Sequence, residues 1–440
     1  MAIPKRQSLI LATAREALKH AERLVSYLEE KDLQEPDFSA SSAPHPENSD
    51  YDAIRNDLNQ AANDLSLLAT GPLQWIRTFC CCHHDLAAWQ VALRFKYFTI
   101  VPLDRPISVK EMASKAQMDE DRLRRVMKFL TTQRCFQEID DDRFEHTALS
   151  AFIASNKDIE QCFAFEADEM FEAASLTATS IQKTPYLSEA KDSAFNLRFG
   201  TSPYTWYAEN PERGARFASA MAGYVQMNRD TEELTERFPW ASLGGKKVVD
   251  VGGGSGHVSI HLATKFPSLS FLVQDVNSVM LEEGPRRPDY APVRDRVSFM
   301  QYSFYEPQPI TDAGLFFLRQ VIHNCPDEVC VKIFKSFVPA MEKSALGTNL
   351  LINDMLLPPP NQELKVEEYH LRQIDIHMLN GYAAKQRTLV EFETLLQAAD
   401  PRFEVSAALR ESKDYANAQQ VVHVHGKGIM GLIEVKLLRY

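Results

Sequence analysis

The sequence predicts a doubly wound α/β sheet, preceded by a mainly helical region that contains a winged helix. Three observations carry this. From about Trp240 onward, short apolar runs alternate with amphipathic segments, the pattern of parallel strands joined by crossover helices. One of these runs, KKVVDV, passes into GGGSG and then into a helical period. Before that point the period is helical, except at 107–148, where the order is helix, helix, two short strands.

The elements follow in order. Residues 6–31 place apolar side chains at helical spacing with charges between them. Residues 34–50, QEPDFSASSAPHPENSD, are rich in Pro, Ser and acid, and read as a flexible linker. A second helix is expected near Asp52, with apolar helices from Pro72 to about Ile100. ISVKEMASKAQ and DEDRLRRVMKFLTTQRCF supply the two helices of the winged helix, and QEIDDDRFEHTALSAFIA its hairpin and the next helix start. Residues 157–235 are helical, with aromatic clusters in FAFEADEMFEAA and SPYTWYAENPERGARFASAM. The sheet then takes KKVVDV, LSFLVQDV, GLFFLRQVIH and NLLINDMLLP as strands, with helices at HVSIHLATKFP and DEVCVKIFKSFVPAM. The last stretch, VVHVHGKGIMGLIEVKLLRY, reads as two closing antiparallel strands. The expected organisation is therefore an N-terminal helix over 1–33, a linker over 34–50, a helical and winged-helix dimerisation and lid region over 51–235, and a ligand-binding sheet domain over 236–440.

Composition excludes several classes. The 440 residues are 45% hydrophobic and 25% charged, with a net charge of −12; that is a globular balance and argues against nucleic acid as a partner. The basic Arg122, Arg124, Arg125 and Lys128 of the winged helix are surrounded by Asp119, Glu120, Asp121 and the acids at 140–142. No apolar run reaches membrane-spanning length, and the N-terminus lacks the apolar core of a secretory signal. A cytoplasmic, soluble protein is expected. The contiguous Cys80, Cys81 and Cys82 beside His83 and His84 lack the separated pairs that let zinc ligands converge. A buried, reduced helix segment and no metal are expected.

VVDVGGGSGHVS is the most informative stretch. Glycines admit positive φ and close approach of a ligand to the backbone, and the following helix start offers unpaired N–H groups. The dinucleotide spacing G-x-G-x-x-G fails from Gly252 and from Gly254. What fits is Asp250-x-Gly252-x-Gly254-x-Gly256, with Gly253 inside it. Nineteen residues after Gly256 comes Asp275, at the end of a strand, where a carboxylate can accept both hydroxyls of a ribose. An adenosine-type cofactor follows, and the absence of a dinucleotide or GxxxxGK pattern points to S-adenosylmethionine.

With these parts in place, the chain resembles the class I S-adenosylmethionine-dependent O-methyltransferases, in particular the plant caffeic-acid-type enzymes and their fungal relatives acting on polyketides. The resemblance runs from about residue 70 and includes the winged helix, PWASLGGKKVVDVGGGSG, VIHNCPDE, INDMLLP and KQRTLVEFETLLQAADPRF. It implies a Rossmann-like methyltransferase sheet; separately, the apolar helices between Asp52 and Ile100, with the winged helix, offer more apolar surface than one small domain can hide, so a homodimer is expected. The resemblance also implies His323 as general base with Asn324 beside it, and Asp354 and Gln386 as its flanking groups. Arg319 falls where the family has a cofactor contact; Ser303, with Phe304 next to it, falls where the family has the Asp that binds the adenine edge. Phe217, Met221 and Met378 match positions that line the substrate pocket. Gln386 replaces a Glu and Cys325 a Trp. The substrate implied is an aromatic or polyketide-derived metabolite with a hydroxyl. An alternative reading is a methyltransferase-like pericyclase that binds the cofactor without transferring its methyl; there His146, His323 and Arg319 would polarise carbonyls.

Overall fold

The structure, a computed structural model, describes residues 8–186, 189–228, 231–360, 362–409 and 430–438. They form two compact units, the first from residues 1–172, 207–224 and 364–367, the second from 173–206, 225–363 and 368–440. The sequence reading sets borders at 33/34, 50/51 and 235/236; the contacts group 173–206 and 225–235 with the sheet, and 364–367 with the first unit.

In the first unit, α1 (Leu9–Glu30) starts at Ser8, whose Oγ accepts from Leu11 N. It pairs with α2 (Ser49–Phe79), where Arg23 meets Asp57 at 3.2 Å and the Tyr27 hydroxyl donates to Asn48. α2 breaks where Gly71 adopts φ 68° ahead of Pro72; the proline ring disfavours helical geometry at the residue before it, and glycine tolerates positive φ. α3 (Cys82–Arg94) follows. The winged helix is present as expected: β1 (Ile107–Ser108), α4 (Val109–Ala116), α5 (Glu120–Thr132), β2 (Phe136–Asp140) and β3 (Arg143–His146), with strand order β1-β3-β2. Leu123, Met127 and Leu130, one face of α5, pack with Phe136, Phe144, Tyr97 and Phe98 in its core. Two of its basic side chains are taken by the wing, Arg124 by Asp142 and Lys128 by Glu138, each at 2.8 Å.

Two expectations change here. Residues 34–50 carry no helix before Ser49, yet the segment is tied down: Phe38 O accepts from Ala148 N, Ser39 bridges Thr147, and the Arg134 guanidinium lies 4.1 Å over the Phe38 ring. Cys80, Cys81 and Cys82 are exposed rather than buried. The turn between α2 and α3 faces outward in the single chain, and so do Leu73, Trp75, Ile76 and Phe79 before it.

In the second unit, β4 (Lys247–Val251), β5 (Ser270–Asp275), β6 (Val297–Gln301), β7 (Leu315–Arg319), β8 (Asn349–Met355), β9 (Phe403–Leu409) and β10 (Met430–Leu437) form one sheet in the order β6-β5-β4-β7-β8-β10-β9. The first five are parallel; β10 runs antiparallel to both β8 and β9. The closing pair is thus β9 and β10, whereas 421–429 of the expected pair lies outside the described residues. Val248, Val249 and Val251 are fully buried, as a strand covered on both faces requires. The chain moves outward from β4 through β6, then returns to place β7 on the other side of β4. That reversal makes a crevice at the carboxyl ends of β4 and β7, where ligands bind in such sheets. Among the described residues no helix is long and apolar enough to cross a membrane.

Candidate active site

The loop after β4 stands on one side of this crevice. Gly252 and Gly254 take φ of 78° and 57°, a region costly for any residue with a Cβ. A Cβ at Gly252 would come within 2.7 Å of the Val321 side chain, so no larger residue fits the turn. Gly252 N and Gly253 N both donate to Gln274 O, which ties the loop to the end of β5. Gly256 closes it as the N-cap of α6 (His257–Lys265). Asp275 does more than its spacing suggests: Oδ2 accepts from Gly254 N at 3.0 Å and Oδ1 from Asn277 N at 2.8 Å. It therefore braces the loop while standing at the crevice.

Beneath the loop, Asp250 is buried and accepts from the Ser259 hydroxyl at 2.7 Å. Burial pushes its carboxyl up to about 6, partly offset by Ser259 and by the charge of Arg319. Arg319 itself bonds Asn353 Oδ1, and Asn353 donates to Gly431 O. Phe304 packs against the core cluster that holds Val321, with its ring near Gly252. Ser303 Oγ accepts from Tyr305 N at 3.5 Å. A braced glycine loop, a carboxylate at the end of the adjacent strand and an aromatic ring beside the loop are the parts that fit an adenosine-bearing cofactor.

The other side of the crevice carries His323. β7 ends at Arg319, Gln320 takes the left-handed φ of 53°, and a single 3₁₀ turn, Ile322–Asn324, presents the histidine. Positive φ in a residue other than glycine is uncommon and marks a backbone held by its surroundings. The holders are visible: Gln320 N donates to Asn353 O, and the Asn324 side chain donates to Gln320 O. Asn324 thus supports the turn. His323 is buried, its backbone N–H donates to Asp354 Oδ2, and its ring Nδ1 lies 3.3 Å from Asp354 Oδ1.

Gln386 reaches the same ring nitrogen. Its Nε2 is placed 3.0 Å from Nδ1, while its Oε1 is buried with no hydrogen-bond partner. Turning the amide by 180° aims Oε1 at Nδ1, where it accepts from an Nδ1–H that Asp354 also holds; amide O and N are exchangeable on such grounds. That orientation makes Nε2 the basic nitrogen of the neutral ring.

Arg387, next in the chain, is a residue that sequence reasoning misses although KQRT displays it. Its side chain is fully buried, with Nη1 donating to Ile322 O and Nη2 to Cys325 O, and Nε and Nη2 binding Asp327. It satisfies two carbonyls of the turn that carries His323. Cys325 is buried and its thiol is pushed up to about 11 by that burial, so it is not a nucleophile near neutrality.

The remaining site expectations sit as follows. Met378 is buried with Tyr382 and Ala384 in the second unit. Phe217 and Met221 lie in the first unit, where Phe217 stacks on Tyr207 at 4.5 Å. His146 is buried within the winged helix. Its Nδ1 bonds Ser150 and its Nε2 bonds Val101 O, each at 2.9 Å. Both nitrogens are thus used in packing that domain, which corrects its place among the substrate contacts.

Comparisons with known proteins give the family. A family model described as an O-methyltransferase domain matches residues 183–401. The chain is 42% identical over 417 residues to O-methyltransferase sol2 of Alternaria solani, covering 95% of this chain and 92% of that protein. It is 33% identical to O-methyltransferase xanE of Aspergillus fumigatus over 77% of this chain and 78% of that one. Among solved structures, OxaC superposes with a TM-score of 0.76 at 19% identity over 98% of this chain and 99% of OxaC. LepI in complex with SAM superposes at 0.70 and 19% identity, over 88% and 94%; likenesses at this identity show the fold alone. Taken with the braced glycine loop and the buried histidine, these matches show that the chain belongs to the O-methyltransferase family and uses S-adenosylmethionine.

Proposed function

We propose that the protein methylates a hydroxyl on an aromatic, polyketide-type metabolite, with His323 as the general base. The observation that carries this is the double hold on His323 Nδ1 by Asp354 and Gln386. A phenol is a weak nucleophile until it loses its proton, and a neutral imidazole is suited to take it near pH 7. With Nδ1 held, Nε2 takes the proton. Asp354 then stabilises the imidazolium, as the carboxylate of a catalytic triad does. Arg387 and Asn324 keep the turn in place. Gly252, Gly253, Gly254, Gly256 and Asp275 would hold the cofactor, with Arg319, Ser303 and Phe304 as further contacts. When bound, it supplies a methyl group on a positively charged sulfur. Met378, buried with Tyr382 and Ala384 in the second unit, is proposed as a substrate contact, and the apolar, aromatic lining suits a ring-bearing substrate. The named curated relatives are O-methyltransferases, sol2 and xanE among them, which supports transfer over the non-methylating alternative.

The protein is further proposed to be a homodimer, located in the cytoplasm. Leu73, Trp75, Ile76 and Phe79 form an exposed apolar stretch beside the exposed cysteines, with Trp75 and Phe79 stacked at 4.7 Å. Contiguous apolar surface of this kind marks an interaction face, and a second copy covering it would also bury the cysteines. The catalytic reading is tested with a panel of phenolic polyketides. Demethylated cofactor is counted against substrate converted. A ratio near one supports transfer, and substrate consumed at a ratio near zero refutes it.

A further inference from the structure

We propose that the buried side-chain amides of Gln274 and Gln308 clasp the glycine loop to the segment that carries Phe304, and so position the adenosine half of the cofactor. The proposal rests on the cofactor site assigned above. Both residues belong to the second unit. Gln274 lies in β5, between β4 and β6 in the sheet, and Gln308 follows β6. Their exposures are 0% and 3%, so both act through their neighbours rather than on the cofactor itself. A polar side chain sealed into such a sheet is costly unless its hydrogen bonds are made. Here they are made to each other: Gln274 Nε2 donates to Gln308 Oε1 at 3.1 Å, and Gln308 Nε2 donates to Gln274 Oε1 at 2.8 Å. Chemistry fixes this orientation. Ile310 N donates to Gln308 Oε1 at 3.1 Å, and a backbone N–H needs an oxygen there, so the nitrogen of Gln308 faces the oxygen of Gln274.

Each glutamine holds one part of the site. On the Gln274 side, its carbonyl accepts from Gly252 N at 2.7 Å and from Gly253 N at 3.1 Å. The next residue is Asp275, whose Oδ2 accepts from Gly254 N. On the Gln308 side, the chain from Tyr302 is drawn into a short loop. Tyr302 N donates to Asp275 O at 3.0 Å and the Tyr302 hydroxyl to Glu306 O at 2.6 Å, while Glu306 N donates to Ser303 O at 3.0 Å. Gln308 N donates to Ser336 O at 2.9 Å, in the helix Asp327–Lys343. Phe304 sits on this loop, and its Cε1 lies 3.9 Å from where a Cβ on Gly252 would stand. The ring and the glycine loop are therefore neighbours, and the Gln274–Gln308 pair ties together the segments that carry them. An adenosine whose ribose is held by Asp275 and whose base lies beside Phe304 depends on that spacing. Two leucines would fill the same space, but apolar contact is non-directional and fixes no register, whereas a reciprocal amide pair closes in only one.

Calorimetry on the full chain tests this, with S-adenosylmethionine and its demethylated product titrated in parallel, beside kinetics on the fastest substrate of a phenolic panel. The two ligands share the adenosine half. Gln308→Leu should therefore weaken both by the same factor, about 3- to 30-fold, the scale of residues that act on a site through packed neighbours. KM for the cofactor should rise alike, with kcat at saturating cofactor kept within about 2-fold, since only uniform binding is lost. Replacing Gln274 and Gln308 together by Leu leaves no unpaired amide in the core, so Tm should recover while both affinities stay low. The double variant also serves where the single one does not fold. If the affinities return with Tm, or if Gln308→Leu lowers Tm with both affinities kept, the pair is packing alone and the clasp is refuted. Asp275→Ala tests the site itself and should weaken both ligands. If it leaves both unchanged, the cofactor site is wrong and the clasp falls with it; if it weakens both while the glutamine variants do not, the site stands and only the clasp is refuted.

Discussion

The side-chain amide of Gln386 lies 3.0 Å from Nδ1 of His323, and Asp354 Oδ1 lies 3.3 Å from the same nitrogen. An amide carries no charge, so the imidazole faces one full negative charge, that of Asp354. In Gln386→Glu the added charge favours the imidazolium and raises the pKa of the ring. The base works only when neutral, so the acid limb of kcat/KM should move to higher pH, by about one unit. Activity at pH 6 should fall while the plateau at high pH is kept or raised. A pH–rate series measures this, and an unmoved limb would show that Gln386 does not govern the base.

Asp250 links the cofactor loop to stability. Burial pushes its carboxyl up to about 6, above the ordinary value of 3.8. Between these values the folded chain binds the proton that the unfolded chain has lost, so this group's contribution falls as pH rises from about 4 to about 6. Asp250→Asn removes that loss and can still accept from Ser259. Thermal melts should show a higher Tm for the variant at pH 7.5, and a smaller difference at pH 4. A lower Tm at both values would contradict the assignment.

Arg387 supports the turn rather than the chemistry. Lysine cannot reach Ile322 O, Cys325 O and Asp327 together, and a buried carbonyl left unpaired costs about 1–3 kcal/mol. Arg387→Lys should lower both Tm and turnover, with the affinity for the cofactor nearly unchanged. Equal loss of cofactor binding in calorimetry would show that the residue acts on the glycine loop instead.

Much of this is legible in the residues. Asp250, the glycines and Asp275 are readable because spacing alone sets a loop and a strand end. His323 is singled out by the resemblance that VIHNCPDE carries, since a histidine after an apolar strand would not by itself mark a base. Gln320 and Arg387 are not legible: the left-handed glutamine acquires meaning only beside Asn353 and Asn324, and the buried guanidinium only when the segments near residues 322 and 387 are brought together. His146 misleads for the opposite reason, since a histidine in a hairpin does not announce that both its nitrogens are used in packing. The apolar neighbours of Cys80, Cys81 and Cys82 point inward on sequence grounds, but apolarity does not say whether a core or a second chain covers them.

The dimer face follows from those same neighbours. Light scattering at micromolar concentration should give twice the 49.9 kDa of one chain, an obligate-type assembly. Replacing both Trp75 and Phe79 by Glu should leave a single-chain particle. A single-chain mass for the unaltered protein would refute the proposed interface.

The most direct measurement of the central assignment is turnover by His323→Ala on a phenolic substrate, with cofactor affinity measured on the same preparation. Turnover should fall by roughly two to four orders of magnitude, the scale of a lost general base, with the affinity for S-adenosylmethionine within about 2-fold of the unaltered protein. Turnover that stays within about one order of magnitude of the original, at intact cofactor affinity, would show that His323 is not the base.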